Sequence, residues 1–444
     1  MEKVYSALIA IVSVTLVLGI MIFVHEWGHF IAAKLSGVRV DVFSFGFGPR
    51  LFGVKRGDTD YRLSALPLGG YVRMAGDNPV EERSGEPYEF LSKPRWIRVV
   101  IAVAGPTMNV LLAFLIFWGI YWLVGVPYDT DLRRPAEVAA LPQFSSSHPA
   151  VLPGDRILEV NGTKTPAWDD VFKQIAQAKR GDSVQLVVAR NGQNVPLTEI
   201  VPDKAAPWDL VGYPQLPPVV DEPAIGMPAE KAGMKAGDLV VQINGKHVVT
   251  WDQLFEIVRN SDGHPVQFVV RRDARDIPME ITPVQQMTLD GSMAWQIGVA
   301  ERIHESYERQ DVVTAARDAG VETVLFMRQI VDVIGGLFSG KVSLRQLNSV
   351  VGIARLSGQA AKQGPMSLLW LMAVISLNLG LLNLLPIPIL DGGHVLLLTI
   401  EGTLRRDLSV AVKERFVQVG LVFLLGIFAF VMYSDILKLV QSHH

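Results

Sequence analysis

Cysteine is absent from the 444 residues, so no disulfide scaffold braces any part of the chain. Charge is scarce as well: Asp, Glu, Lys and Arg make up 19% of the residues, against about a quarter in ordinary soluble domains. The 41 basic and 44 acidic side chains nearly cancel, and no nucleic-acid partner is expected of so neutral a balance. The first apolar run lacks a small-residue cleavage site, so it reads as a retained span rather than a removable signal peptide. Hydrophobic residues, by contrast, make up 49% of the chain and the mean hydropathy is +0.29. That composition predicts a membrane protein with a soluble insert.

Four stretches are long and apolar enough to span a bilayer: about Val4 to Val24, Val99 to Val124, Met366 to Leu385, and Phe416 to Met432. Lys and Arg crowd the loop between the first two, from Lys34 and Arg39 through Arg83 to Arg98, and recur at Arg405, Arg406, Lys413 and Arg415 between the last two. Both loops are therefore expected in the cytoplasm, with the long segment from about Gly125 to Pro365 on the other side. Trp118, Tyr121, Trp122 and Tyr128 would mark that outer interface. Val321 to Leu337 mixes Glu322, Arg328 and Asp332 with apolar positions, which predicts an interfacial helix rather than a fifth span.

At the end of the first run stands His25-Glu26-Trp27-Gly28-His29, an HExxH pattern. Two histidines four apart share one helical face and can reach one metal ion, while the Glu between them flanks the open position as a base. Ionisable groups at bilayer depth are by default functional. The bland alternative, a solvated helix end followed by Lys34, stays open until a third ligand is found. One candidate closes the third span. In Asn383-Leu384-Leu385-Pro386-Ile387-Pro388-Ile389-Leu390-Asp391-Gly392-Gly393-His394, two prolines break the helix and two glycines allow close backbone approach, so an unwound segment should present Asp391 inward. His25, His29 and Asp391 would give Zn²⁺ three ligands and an open fourth position.

The outer segment repeats itself at an offset of 83 residues. Pro153-Gly154-Asp155 through Asn161-Gly162 matches Ala236-Gly237-Asp238 through Asn244-Gly245, and Trp168 and Phe172 keep register with Trp251 and Phe255. Each copy reads as a short strand, a tight Asn-Gly turn, a Trp-led helix and a closing strand at Val184 to Val188 or Val266 to Val270. These residues resemble PDZ domains of the bacterial protease type, over about Asp129 to Val201 and Gly226 to Pro283. The resemblance implies grooves able to bind peptide by strand addition; a rigid spacer is the other reading.

HExxH together with N-x-x-P-x-P-x-L-D-G is similar to the signature of site-2 proteases, the intramembrane zinc metalloproteases. The resemblance implies Zn²⁺ on His25, His29 and Asp391, Glu26 as general base, and Asn383, with Pro386 and Pro388 of the broken helix, against substrate. It further implies substrates that are membrane-spanning segments of pre-trimmed proteins, anti-sigma factors and remnant signal peptides among them. The setting would be the bacterial inner membrane, with the PDZ-like copies periplasmic and the active site toward the cytoplasm. His394 is assigned a supporting rather than a ligating role.

Gly105-Pro106-Thr107-Met108-Asn109 resembles the family's G-P-x-x-N pattern beside the active site; Gly105 and Asn109 either serve the site or only pack the bundle. Arg50 to Val54 and Tyr61 to Val72 read as a hairpin around Lys55 to Asp60. In the family a corresponding hairpin re-enters the membrane, which would let Tyr61, Arg62, Leu63, Ser64, Ala65 and Leu66 pair with unwound substrate; a plain cytoplasmic hairpin is the alternative.

The expected fold is thus a polytopic α-helical membrane protein of about four spans, with a membrane-associated β-hairpin and two inserted PDZ-like α+β domains. Its expected divisions are 1–124, 125–205, 215–300, 301–365 and 366–444. Two rival functions are a non-proteolytic PDZ membrane scaffold and a transporter. The second calls for inverted repeats among the spans, and the sequence has none.

Overall fold

The computed structural model describes residues 2–78, 84–142, 150–179, 181–201, 210–224, 226–287, 293–340 and 350–441. Arg83, the boundary expected near 205, and Ser442, His443 and His444 lie outside them. The chain divides into two compact units, one formed by Met1–Val126 with Arg309–Val440 and the other containing Pro127–Glu308.

In the first unit, α1 (Glu2–Leu35) and α2 (Arg95–Leu123) pack against each other. Among the described residues, four helical stretches are apolar and long enough to cross a membrane: Leu8–Leu35, Arg95–Leu123, Pro365–Asn383 and Val410–Tyr433. The expected first span stopped at Val24, but α1 continues without a break to Leu35, so the HExxH residues lie within its last three turns. Large apolar side chains face outward, Val422 at 72% exposure among them, a surface suited to lipid and a liability in water.

Residues 40–74 form two long strands, β1 (Val40–Arg56) and β2 (Thr59–Met74). Their pairing corrects the single hairpin expected from the sequence. Gly46 and Gly48 hold φ of +90° and +87°, values that favour glycine, and β1 reverses there. Segment 50–56 pairs with 59–64, which also pairs with 42–47, and that segment pairs in turn with 70–74. Tyr61 therefore bonds Val54 on one side and Phe43 on the other, and Arg62 and Leu63 are likewise flanked on both sides. Strand addition at Tyr61 to Leu63 is excluded by this double pairing; the two edges of this sheet among the described residues are 50–56 and 70–74.

The second unit holds β3 (Val126–Asp129) through β14 (Glu305–Glu308), with α3 (Trp168–Ile175), α4 (Pro228–Lys231) and α5 (Trp251–Arg259). Its two copies fold alike. Strands β4 (Arg156–Val160), β5 (Thr163–Lys164), β6 (Ser183–Arg190) and β7 (Gln193–Ile200) are ordered β5-β4-β6-β7, and β8 (Leu239–Ile243), β9 (Lys246–His247), β10 (Val266–Arg272) and β11 (Arg275–Ile281) repeat the order as β9-β8-β10-β11. Asn161 and Asn244, both at φ +50° and each followed by Gly, turn the two-residue hairpins β4–β5 and β8–β9. In each copy a buried Asp is clasped by an Arg of the closing strand: Asp155 by Arg190 at 2.7 Å, Asp238 by Arg272 at 2.6 Å. Trp168, Val171 and Ile175 of α3 fill one core, and Leu254 and Val258 of α5 the other. Thr250 and Gln253 form a capping box on α5, whereas Ala167 leaves α3 without a side-chain cap. Of the remaining strands, β12 (Val284–Met287) and β13 (Met293–Gln296) pair with each other, and β14 pairs with β3.

Half-buried Glu301 faces the acids Asp252, Asp129 and Asp131, and burial followed by those charges pushes its pKa up to about 7 from 4.5. An acid whose pKa is raised by folding costs no stability below the unfolded value and costs its full amount above the folded one, so stability falls as pH rises from about 4.5 to about 7. Glu301→Gln removes the titration. Hydrogen-exchange protection of β10 amides in the full chain should then match the parent at pH 4 and exceed it at pH 8.

Back in the first unit, α6 (Val312–Phe338) is capped by Asp311, which accepts from the Val313 and Thr314 amides. It packs Ala315, Ala319 and Ile330 with Phe117, Ala373 and Leu377 of neighbouring helices. The helix expected at 321–337 thus begins nine residues earlier, at Val312. Next come α7 (Val350–Gln363), α8 (Pro365–Asn383), α9 (Asp391–Leu404) and α10 (Val410–Gln441). Helices α7 and α9 are additions to the expected plan. Gly358 of α7 comes so close to Ala10 that a Cβ would lie 2.9 Å from the alanine Cβ.

Candidate metal centre

Three elements converge on the site. α1 supplies His25, Glu26 and His29, α2 passes beside them, and α9 opens on Asp391 after the break that follows α8. The break has the anticipated causes. Pro386 and Pro388 cannot continue α8, and Ile389 is held at φ +83°, a strained value for a β-branched residue. Gly392 and Gly393 then let the chain fold tightly on itself: a Cβ at either would meet a carbonyl oxygen of Leu384, Leu385 or Ile387 at 2.3 Å. Asp391 is the first residue of a new helix rather than part of an unwound run, as the sequence had suggested.

His25 Nε2 lies 3.2 Å from His29 Nε2 and 3.1 Å from Asp391 Oδ2, and His29 Nε2 lies 3.4 Å from Asp391 Oδ1. Both histidines are buried. Ligand bonds of about 2.0–2.1 Å imply tetrahedron edges of about 3.3–3.4 Å, so these three separations fit one zinc ion with a fourth vertex free for another ligand. Among the described residues these are the three whose donor atoms converge on a metal-sized point. His394, one turn further along α9, lines the same cavity without joining the set.

α2 shapes the site from behind. His29 Nδ1 donates to the Ile101 carbonyl at 2.7 Å, which leaves Nε2 bare toward the centre. The imidazole lies close against Gly105, where a Cβ would stand 2.3 Å from Nε2. Asn109, fully buried, sits 3.2 Å from His25 Nδ1, and its backbone carbonyl accepts from Ser376 Oγ of α8 at 2.8 Å. Gly105 and Asn109 therefore both touch the histidines. The Ile101 carbonyl and Ser376 escaped sequence reasoning, since a main-chain acceptor and a lone serine in an apolar run carry no pattern.

A cavity of about 890 Å³ opens at the centre, lined by His25, Glu26, His29, Asp391 and Asn383, with Tyr71 and Val72 of the free strand edge. Glu26 lies close under that edge: a Cβ on Gly70 would stand 3.2 Å from its Cγ, and the Val72 backbone faces its carboxylate. Pro386, Pro388 and Tyr61 to Leu66 do not line the cavity; Pro388 instead packs on Gly420 of α10. Toward its far end Lys413 of α10 pairs at 2.7 Å with the buried Glu401 of α9.

Soluble zinc proteases carry no such apolar helices, and transporters have no use for an HExxH glutamate beside a three-ligand centre. The combination defines the class of membrane-embedded metalloproteases. The chain belongs to peptidase family M50, whose model matches residues 13–427, and it is a zinc-dependent protease. It is similar to the regulator of sigma-E protease RseP of Escherichia coli strain K12, 31% identical over 447 residues that cover 95% of this chain and 97% of that one. Protease RseP of Yersinia pestis is 31% identical over 455 residues, covering 98% and 100%, and the regulator of sigma E protease of Salmonella typhi 31% over 444, covering 95% and 97%.

Proposed function

We propose that this protease hydrolyses peptide bonds inside the membrane-spanning segments of single-span proteins whose outer domains have already been removed. Anti-sigma factors, in envelope-stress signalling, and signal-peptide remnants are the proposed substrates, in line with relatives named for sigma-E regulation. The Lys and Arg distribution supports an inner-membrane orientation with the active site toward the cytoplasm and residues 127–308 in the periplasm. The identical strand order of the two outer copies supports reading them as tandem PDZ-like domains, whose bulk or grooves screen substrates.

One observation carries the reading: the unpaired edge 70–74 runs beside Glu26 in the cavity shared by His25, His29 and Asp391. A helical peptide bond is shielded by its own hydrogen bonds, so substrate must unwind before attack, and a strand edge offers replacement partners. Zinc held by the three ligands supplies Lewis-acid polarisation of the scissile carbonyl and acidifies water. Glu26 takes a proton from the attacking water as the carbon–oxygen bond forms, then delivers it to the amine nitrogen as the carbon–nitrogen bond breaks. Asn383, at the cavity wall where α8 ends, holds substrate backbone.

The test uses the full chain in lipid vesicles with a single-span reporter that carries or lacks a folded outer domain. Cleavage of the trimmed reporter alone is expected. No cleavage of either sinks the intramembrane reading, and equal cleavage of both sinks the screening role. Val72→Pro, which removes from this edge the backbone donor that also faces the Glu26 carboxylate but touches no ligand, should lower cleavage by about tenfold or more at unchanged zinc content. Parental cleavage in that variant would show that substrate does not pair there.

A further inference from the structure

Asn109 presents a donor–acceptor conflict beside a zinc ligand. Its amide nitrogen lies 3.2 Å from His25 Nδ1, while its amide oxygen, fully buried, has no hydrogen-bond partner. An amide N–H facing Nδ1 requires a lone pair there, and a neutral imidazole then carries its proton on Nε2. That is the atom aimed at His29 and Asp391, and a protonated Nε2 cannot ligate. Rotating the Asn109 amide by half a turn exchanges nitrogen and oxygen at almost no steric cost. The oxygen then accepts from Nδ1–H, which gives the orphaned atom a partner and bares Nε2.

We propose that Asn109 is the positioning residue for His25, its side-chain oxygen accepting the Nδ1 proton and so fixing the ring's tautomer and tilt for zinc. The inference rests on the zinc reading of His25, His29 and Asp391. It makes the two histidines equivalent. His29 Nδ1 is held by the Ile101 carbonyl and His25 Nδ1 by the Asn109 amide, acceptors eight residues apart on one side of α2 and met in reverse order by the antiparallel α1. His29 obtains a backbone acceptor because Gly105 lets its ring lie against the helix. Among the described residues no glycine faces His25 in this way, so the acceptor must reach out on a side chain. Ser376 grips the backbone carbonyl of residue 109, not its side chain, so the junction of α2 and α8 survives substitution.

Zinc affinity of the full chain in detergent, measured by competition with a chromophoric chelator, tests this with Asn109→Asp, Asn109→Leu and Asn109→Ala. Aspartate keeps an acceptor; leucine keeps the volume without one. Affinity at or above the parent's is expected for Asn109→Asp, and affinity about 10- to 100-fold weaker for Asn109→Leu and Asn109→Ala, the usual effect of losing an outer partner of a ligating histidine. A packing role predicts the opposite ranking of Asp and Leu. Parental affinity in Asn109→Ala, or equal weakening in all three variants, would overturn the assignment. A parent that binds no zinc at all would instead reject the ligand set itself.

Discussion

Replacing Glu26 by Gln should leave zinc bound and lower cleavage by at least about a hundredfold, the low end of what a positioned acid–base group contributes. The side chains are nearly isosteric, and Glu26 is not among the three groups whose donor atoms converge. Its carboxylate lies instead in the cavity wall, close to Gly70 and Val72 of the strand edge where substrate is proposed to lie. The amide has no basic lone pair to accept a proton from water. Zinc content by elemental analysis, with cleavage of the trimmed reporter, separates the outcomes. Loss of zinc would move Glu26 into the ligand set, and cleavage near the parental rate would remove it from the chemistry. Asp391→Asn is the informative contrast, since a neutral amide is a poorer zinc ligand and occupancy itself should fall.

The metal set was legible because its signals are local. Two histidines at helical spacing and an aspartate just past a Pro-x-Pro break each announce themselves within a dozen residues. Asn161-Gly162 and Asn244-Gly245 announced their hairpins in the same way, through the positive φ that such turns require. The architecture of residues 40–74 was hidden for the opposite reason. Alternation and turn residues reveal that a segment is extended, but not which neighbour it lies beside, and a reversal at Gly46 and Gly48 inserts 42–47 where a free edge had been expected. Helix α9 was masked by the prolines before it. They end α8 but do not forbid a new helix that starts five residues after Pro386, and Asp391 suits a first turn because its charge opposes the helix dipole. The role of Gly105 lay in between: its spacing to Asn109 hinted at helix contact, but only the fold could say that the contact is an imidazole.

That contact carries the second large effect. Gly105→Ala should cut zinc occupancy by about tenfold or more and take cleavage down with it, although residue 105 holds no metal and the substitution adds one methyl group. The new Cβ would stand 2.3 Å from His29 Nε2 and 2.6 Å from Cε1, so one of the two must give way. α2 has little room to retreat. Gly28 of α1 already sits where its own Cβ would fall 2.4 Å from the Ala104 carbonyl, and Gly380 of α8 lies against Pro106 and Asn109 from the other side. The imidazole is therefore the part that moves, giving up the 2.7 Å bond to Ile101 and carrying Nε2 off the vertex it shares with His25 and Asp391. Overpacking of a tight contact typically costs about 1–3 kcal/mol in stability, an amount the bundle can absorb; the ligand geometry, which tolerates only tenths of an ångström, cannot. Gly119→Ala on the same helix is the control, because nothing stands within 4 Å of its Cβ position. Parental zinc and cleavage are expected there. Equal zinc occupancy in the two variants would mean that His29 can ligate from another rotamer, and that the close approach at Gly105 serves helix packing alone.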